Sequence, residues 1–239
     1  MSSREAVRSV AVADESGMVE KKNPSSKRDL ALRILITIAA LTLWFWTQSL
    51  LGARSAHRAP IGDGLHRLTA SLNAYFQSAP RAANALLIVS SALIDAMAIF
   101  LLGSWIFAGR LRPFLGLGLL LATRQVLQAL CSLPAPPGII WHDPGFPSLL
   151  VTYGVANDFF FSGHTAIAVF GGLEVARLRR TWLIVLAICV VVFEIAVVLV
   201  LRAHYTMDVF TGALAAMYVA QICRNIPDQV PRIAAGRTP

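Results

Sequence analysis

The stretch FFFSGHT at residues 159–165 places a histidine beside small polar residues at the start of an apolar run. A second stretch, RAHYTMD at residues 202–208, does the same before another apolar run. An inert membrane helix would carry leucine at such positions, so these polar side chains indicate a function. The rest of the chain must bring the two stretches together.

The residue types in the two stretches favour chemistry on a phosphate. His204 and Asp208 are four residues apart, so in a helix they would share one face, where the carboxylate can hydrogen-bond one imidazole nitrogen. The other nitrogen is then free to attack. Covalent catalysis also needs an acid for the departing oxygen, and we expect His164 to supply it. These three residues are the predicted catalytic group.

The composition places the chain in a lipid bilayer. Of 239 residues, 56% are hydrophobic and 14% are charged, and the mean hydropathy of +0.63 is too high for an ordinary soluble domain. The net charge of +8 comes from basic residues scattered between apolar segments, which favours a membrane surface over nucleic acid. The cysteines lack ligand-like spacing, so we predict neither disulfides nor a metal site. They are Cys131, Cys189 and Cys223.

Six apolar runs predict an all-α, polytopic membrane protein with six transmembrane helices. The predicted helices cover residues 30–51, 83–107, 113–130, 159–176, 181–201 and 207–223. We expect residues 1–29 to form a disordered cytoplasmic tail without a signal peptide, because they lack an apolar core with a cleavage site. Residues 30–224 are the predicted six-helix membrane catalytic domain, and residues 225–239 a second cytoplasmic tail.

Basic residues in short loops predict the orientation, because Lys and Arg near helix ends remain cytoplasmic. They precede the first helix, follow the sixth, and occupy the second-to-third and fourth-to-fifth loops. With six spans these segments share one face; the loop at residues 52–81, with four arginines, is the exception. We therefore expect both termini to be cytoplasmic. His164, His204 and Asp208 would then share the non-cytoplasmic face.

Arg124 lies inside the third apolar run, about 9 Å from its outer end at the helical rise. An intramembrane arginine is costly enough to indicate function, and its planar guanidinium suits a phosphate. A salt bridge to Asp95 in the second run is the alternative, and the sequence leaves both open. Glu194 in the fifth run either orients a catalytic group or pairs with a polar neighbour inside the bundle.

Ser162 and Gly163 stand where the fourth helix reaches His164. They are typical of a helix cap with room for close packing, yet exposed amides at a helix N-terminus also bind anions. We therefore predict that both residues contribute to phosphate binding, a role compatible with capping.

The motifs resemble the lipid phosphatase and phosphotransferase superfamily of phosphatidic acid phosphatase type 2. RQVLQALCSLPAP at residues 124–136, DFFFSGHT at 158–165 and HYTMDV at 204–209 are similar to three motifs of its sphingomyelin synthase branch. That branch includes the plant phosphatidylcholine:diacylglycerol cholinephosphotransferases. The three motifs agree in order and spacing. The resemblance covers residues 124–212, and the six-helix plan extends it to most of the chain.

The resemblance implies roles for the matched residues. His204 would be the nucleophile, Asp208 its orienting carboxylate and His164 the acid for the leaving group. Arg124 and Asp158 also match motif positions.

One departure bears on the reaction. The wider superfamily usually carries a phosphate-binding arginine six residues before the second histidine, and here Val198 stands there. Arg202 is the expected replacement for the lost charge, and Tyr205 is a predicted supporting residue. The departure favours headgroup transfer over simple phosphatase activity.

The predicted function is transfer of a phosphocholine-type headgroup from a phospholipid to a lipid alcohol, such as diacylglycerol or ceramide, through a phosphohistidine. The predicted partners are the two lipids and the bilayer, with no cofactor and no nucleic acid, and the oligomeric state is left open. One alternative is a lipid phosphate phosphatase or phospholipase C-type hydrolase that uses the same residues. A non-enzymatic lipid-binding protein is the second, although a binding site needs no matched nucleophile and acid.

Overall fold

The computed structural model describes residues 27–52, 61–153 and 159–227. Most of the predicted first tail, the second tail from residue 228 onward, and Asp158 lie outside these ranges. The predicted tail boundary at residue 29 falls inside a helix, because the first helix begins at Lys27.

Every regular element in these ranges is a helix, so the all-α prediction is confirmed. The helices are α1 (Lys27–Gly52), α2 (Gly64–Leu68), α3 (Ala70–Ser78), α4 (Pro80–Ala108), α5 (Leu111–Leu130), α6 (Gly163–Ala176), α7 (Thr181–Val200) and α8 (Thr206–Ile222). A short 3-10 turn, Cys223–Asn225, continues α8.

Five helices of the described ranges are long and apolar enough to cross a bilayer. Their spans are Lys27–Leu50, Pro80–Ala108, Leu111–Leu130, Thr181–Val200 and Thr206–Asn225. They correspond to the first, second, third, fifth and sixth predicted runs. The fourth predicted run differs, since α6 has 14 residues. At 1.5 Å per residue it is about 21 Å long, shorter than the roughly 30 Å hydrocarbon layer.

Helix α6 begins four residues later than the sequence predicts, because a turn precedes it. Phe161 has a φ of 76°, in the left-handed region that side chains rarely adopt, and its ring is completely buried. Ser162 then caps the helix, its hydroxyl oxygen accepting a hydrogen bond from the Thr165 amide at 3.3 Å. The first part of FFFSGHT is therefore a turn, and only its last three residues are helical.

Helix α6 lies at the centre of the bundle, where it packs against α4, α5, α7 and α8. Two glycines allow the close approach. A Cβ at Gly116 of α5 would clash with the ring of Phe170, and a Cβ at Gly212 of α8 would lie 2.6 Å from the carbonyl oxygen of Ser162. These contacts hold the start of α6 against α8, next to the segment that carries the second histidine.

The segment before α4 covers the end of the bundle where α6 and α8 begin. Asp63 accepts hydrogen bonds from the amide and the hydroxyl of Thr206, at 2.7 and 2.6 Å. The Nε2 of His66 donates to the carbonyl oxygen of His204 at 2.9 Å. The link between α7 and α8 is therefore tied to a part of the chain that is distant in sequence.

Candidate active site

Three predicted site residues line one cavity of about 50 Å³. Arg124 comes from α5, His164 from the first turn of α6, and His204 from the link between α7 and α8. All three are buried, each less than a tenth exposed. The cavity is bounded by aromatic and aliphatic side chains, among them Trp44, Ile94, Leu121, Trp141, Phe159 and Ile167. The fold thus brings together residues that are up to 80 positions apart.

His204 precedes helix α8, and its ring is held by a backbone group. The Nδ1 atom lies 3.0 Å from the carbonyl oxygen of Phe159. A carbonyl oxygen can only accept, so Nδ1 carries the hydrogen and Nε2 keeps the lone pair. This is the tautomer that a nucleophile attacking through Nε2 requires.

Asp208 lies close to His204, but the predicted hydrogen bond between them is wrong. Its Oδ2 atom is 3.8 Å from Nδ1 of His204, beyond hydrogen-bond distance. The physical reason is that α8 begins at Thr206, so the two residues do not share a helical face. Oδ2 instead accepts from the amide of Tyr205 at 2.8 Å. The completely buried carboxylate is still near enough to stabilise positive charge on the imidazole.

His164 presents a nitrogen that no neighbour satisfies. Its Nε2 atom is buried and has no hydrogen-bond partner among the described residues. The ring of Trp141 packs edge-on against it, with centroids 5.1 Å apart. A buried imidazole nitrogen without a partner, in the wall of a cavity, is suited to exchange a proton with a bound group.

Arg124 lies against the N-terminus of α6. Its Nη1 donates to the side-chain oxygen of Gln48 in α1 at 2.6 Å. A Cβ at position 163 would lie 3.2 Å from Nε of Arg124, so Gly163 gives the guanidinium room beside the first turn of α6. The helix dipole and the terminal amides favour an anion at the same place. Gly163 also lines the cavity.

Two carboxylates whose roles the sequence left open have structural partners. Asp95 accepts hydrogen bonds from the amides of Leu149 and Leu150, at 2.9 and 3.2 Å, and so anchors the loop between α5 and α6. Both Asp95 and Arg124 are described, and no ion pair joins them, so that alternative is wrong. Glu194 accepts from the hydroxyl of Ser90 at 2.6 Å, which is the pairing with a polar neighbour that the sequence offered as one possibility.

Arg202 is not brought to the cavity. Its guanidinium donates to the carbonyl oxygens of Pro137 and, at 3.4 Å, of His66. The residue has a φ of 54°, and this left-handed turn directs the chain from α7 into the link that carries His204. The contacts of Arg202 therefore hold a loop in place. They do not bring its positive charge to the cavity, where it was expected to replace the arginine of the wider superfamily.

The remaining predicted site residues are Ser162, Tyr205 and Asp158. The hydroxyl of Ser162 bonds Thr165 Oγ1 at 3.0 Å and caps α6, while the residue does not line the cavity. The ring of Tyr205 is buried and stacks on His66, with centroids 5.6 Å apart. Asp158 lies outside the described residues.

Sequence reasoning missed several parts of the site. Gln48 is a polar residue in an apolar run, a signal of the same kind that identified Arg124. Trp141 and the carbonyl group of Phe159 give no local signal, because an aromatic residue in a loop and a backbone oxygen acquire their roles only through tertiary contact. Gly212 likewise looks like an ordinary glycine in an apolar helix.

Two comparisons with known proteins found a match. A protein-family model described as AtPDCT1/2 matches residues 63–225, more than half of the chain. The chain is 25% identical over 150 residues to phosphatidylcholine:diacylglycerol cholinephosphotransferase 1 of Arabidopsis thaliana, covering 63% of this chain and 48% of that protein. The chain thus spans about half the length of that relative. No solved structure matches it. The matched residues include His164, His204 and Arg124.

Proposed function

Because the chain belongs to the AtPDCT1/2 family, in the branch that includes cholinephosphotransferases and sphingomyelin synthases, we propose that it is an integral-membrane lipid headgroup transferase. The proposed reaction moves a phosphocholine-type headgroup from a phospholipid to a lipid alcohol such as diacylglycerol or ceramide. The observation that carries the proposal is the convergence of His204, His164 and Arg124 on one cavity.

In the first proposed step, the Nε2 lone pair of His204 attacks the phosphorus of the donor lipid. The bond from phosphorus to the diglyceride oxygen breaks, and protonated His164 gives its proton to that oxygen. Arg124 and the first amides of α6 stabilise the phosphoryl oxygens. The His204 ring becomes positively charged as the P–N bond forms, and Asp208 at 3.8 Å stabilises that charge. The products are a diglyceride and a phosphohistidine.

In the second proposed step, a lipid alcohol replaces the diglyceride. Its hydroxyl proton passes to Nε2 of His164, and its oxygen attacks phosphorus while the P–N bond breaks. His204 returns to its neutral form and His164 to its protonated form, so both are ready for another cycle. Phosphorus has exchanged one ester oxygen for another, and no water is consumed.

The surroundings of the cavity favour a diester substrate and a lipid acceptor. A phosphodiester carries one negative charge, whereas a monoester carries nearly two. Val198 is completely buried in a hydrophobic cluster at the position where the wider superfamily usually has an arginine. Fewer cations therefore suffice, and the apolar lining of the cavity disfavours water as the second nucleophile.

A neighbouring cavity supports a choline-type headgroup. It has a volume of about 530 Å³ and shares Trp141 and Val151 with the first cavity. Asp143, Phe146 and Tyr153 also line it, and the rings of Trp141 and Tyr153 lie 5.0 Å apart. Aromatic faces beside a carboxylate attract a quaternary ammonium group. A choline linked to a phosphate at His204 would reach this cavity past Trp141.

We also propose that six segments enter the membrane, with both termini cytoplasmic and the site on the non-cytoplasmic face. Arg112 near the start of α5 contacts Glu174 near the end of α6, so the basic loops before α5 and after α6 lie at the end of α6 opposite to His164. Basic loops remain cytoplasmic. The short α6 is the segment that requires the neighbouring helices for its place in the bilayer.

The experiment that tests the function is a product assay with purified protein in liposomes. Headgroup-labelled phosphatidylcholine is supplied with increasing diacylglycerol or ceramide, and the lipids are identified by mass spectrometry. Transfer predicts a headgroup-bearing acceptor lipid whose yield rises with acceptor and is lost in His204→Ala. Release of phosphocholine or phosphate at every acceptor concentration would support the hydrolase instead. No product of either kind would support a lipid-binding protein without catalysis.

A further inference from the structure

An apolar groove lies between α1 and α5 and adjoins the catalytic cavity. Its volume is about 450 Å³, and Trp44 and Leu121 line both the groove and the cavity. We refer to it as the α1/α5 groove. Its other walls include Thr37, Leu43, Phe114 and Gly118. The groove therefore lies directly beside the place where the phosphodiester would bind.

The length of the groove matches one leaflet of a bilayer. Its lining runs from Thr37 to Thr47 along α1 and from Phe114 to Val126 along α5. At 1.5 Å per residue these stretches measure about 15 and 18 Å. Half of a hydrocarbon layer of roughly 30 Å is about 15 Å. The groove is thus about as long as one extended acyl chain, and one of its ends lies beside the cavity.

The groove offers almost no hydrogen bonds to a ligand. The hydroxyls of Thr37 and Thr47 donate to carbonyl oxygens of their own helix, at 2.8 and 3.0 Å, and so are satisfied. The polar residue Gln125 lies at the cavity end, where its Nε2 donates to Gln48 at 3.1 Å. The lining therefore changes from polar beside Arg124 to apolar farther along, which is the polarity profile of a phospholipid.

The groove is also accessible from the bilayer. Helix α1 is the least enclosed of the five candidate spans, because only 11% of its apolar 18-residue stretch is buried inside the protein. Leu43 on the rim of the groove is 59% exposed. A lipid can therefore enter sideways between the two helices, without lifting its chain into water.

We propose that the α1/α5 groove holds one acyl chain of the donor phospholipid while its phosphodiester occupies the catalytic cavity. The inference rests on the proposed function and adds the subsite that positions the donor. It makes α1 part of the substrate site, although α1 precedes the region that the family model matches. Chain burial there would hold the reacting phosphorus at the depth of His204.

Gly118 provides a direct way to fill the groove. It lines the groove, and no atom lies within 4 Å of the place where its Cβ would be, so the side chain of a leucine there would begin in open space. Gly103→Leu in α4 is the matched control. Gly103 does not line the groove, and its nearest contact would be the Phe107 ring at an ordinary 3.7 Å. Both changes remove a helical glycine and alter helix propensity equally.

The kinetic test compares dioleoyl and dibutyroyl phosphatidylcholine as donors in mixed micelles. We expect Gly118→Leu to raise the KM for the dioleoyl donor about tenfold, the cost of roughly one unfavourable chain contact. The KM for the short dibutyroyl donor should stay at the wild-type value, as should both values in Gly103→Leu. Equal losses with the two donors, or an unchanged dioleoyl KM, would overturn the proposal.

A binding measurement separates this proposal from the reaction itself. Phosphatidylcholine with a photoreactive diazirine near the end of one acyl chain is irradiated with the wild type and both variants. Labelled peptides from α1 and α5 in the wild type and Gly103→Leu, with loss of that label in Gly118→Leu, would support the groove even if no transfer is found. Label distributed without change in Gly118→Leu would refute it, whatever the activity.

Discussion

Helix α5 carries two buried arginines whose surroundings differ. Arg112 donates to Glu174 at 3.2 Å, and Arg177 binds the other oxygen of that carboxylate at 2.9 Å. Arg124, twelve residues farther along, donates to the neutral side chain of Gln48 and lines the candidate catalytic cavity with both histidines. One end of the α5–α6 pair is closed by ion pairs, and the other presents charged and titratable groups to a cavity.

The difference shows that burial in the membrane does not by itself reveal what a charged residue does. A buried ion pair recovers part of the cost of desolvation and holds two elements in register. A guanidinium at the wall of a cavity and beside a helix N-terminus is instead placed for an anionic ligand. The position beside a cavity, rather than the arginine itself, distinguishes the two cases.

We expect the two ends of the α5–α6 pair to lie on opposite faces of the membrane. In a variant without native cysteines, a cysteine at Pro147 should react with an impermeant thiol reagent in intact cells, because we expect the α5–α6 loop to be non-cytoplasmic. A cysteine at Arg180 should react only after permeabilisation. The reverse labelling pattern would move the active site to the cytoplasmic face.

The largest catalytic effect should come from His204, the proposed nucleophile. His204→Ala should reduce transfer to the detection limit, whereas Asp208→Asn should reduce it by about 10²-fold, less than the roughly 10⁴-fold seen where a carboxylate alone holds a catalytic histidine. The reason is that Phe159 accepts the hydrogen bond from Nδ1. Rates in liposomes, with circular dichroism to confirm folding, provide the measurement. An active His204→Ala would eliminate the phosphohistidine, and equal losses in the two variants would give Asp208 the orienting role.

The two arginines themselves should separate activity from stability. Arg124→Gln should lower kcat/KM by about 10²–10³-fold, the usual cost of losing one donor to a developing oxyanion, in protein whose fold circular dichroism confirms. Arg112→Gln should leave kcat/KM near the wild-type value and lower the free energy of unfolding by about 2 kcal/mol. This is less than the 3–5 kcal/mol typical of breaking a buried pair, because Arg177 still binds Glu174. If both variants lose activity and stability together, the functional distinction between the two ends fails.

A smaller effect concerns the preference for one lipid headgroup over another, at the end of the molecule where the cavities lie. Tyr153→Leu should lower the ratio of kcat/KM for phosphatidylcholine to that for phosphatidylethanolamine by about 2–30-fold, since a cation–π contact contributes roughly 0.5–2 kcal/mol. Tyr153→Phe is the matched control, because it keeps the aromatic face and should keep the ratio. An unchanged ratio in Tyr153→Leu would remove the neighbouring cavity from headgroup recognition.

The smallest effect concerns the contact that ties Asp63 to the start of α8. Burial alone would raise the pKa of Asp63, but hydrogen bonds from the hydroxyl and amide of Thr206 and the amide of His66 hold it below its ordinary value of 3.8. A lowered pKa in the folded state means that ionised Asp63 stabilises the fold above pH about 4, and that this contribution is lost as the pH falls through the folded-state pKa.

Asp63→Asn should therefore lower the unfolding temperature by less than about 2 °C near pH 7. The difference should shrink as the pH is lowered through the folded-state pKa, where the wild-type carboxylate becomes protonated. Thermal unfolding in detergent, over a series of pH values from neutral downward, is the measurement. A difference that does not depend on pH would mean that the charge of Asp63 makes no contribution.

Much of the site could be predicted because its residues are conspicuous in their local setting. Arg124, His164 and His204 are polar residues within or beside apolar runs, where any such residue is costly, and all three line the cavity. Arg202 satisfies the same criterion, yet its guanidinium binds loop carbonyl oxygens. Rarity in an apolar setting identifies residues with a polar task, but it does not distinguish a substrate ligand from a loop anchor.

The apolar segments, the all-α class and the two conspicuous histidines can be identified without a structure, because hydropathy and rare polar residues are properties of short stretches. The partners of these residues depend on tertiary packing. It placed the carbonyl group of Phe159 rather than the Asp208 carboxylate within hydrogen-bond distance of His204 Nδ1, and Gln48 rather than Asp95 beside Arg124. These outcomes depend on where α6 and α8 begin and on how closely glycines let the helices approach. Such distances between segments far apart in the chain are set by packing of the whole bundle, which no local pattern encodes.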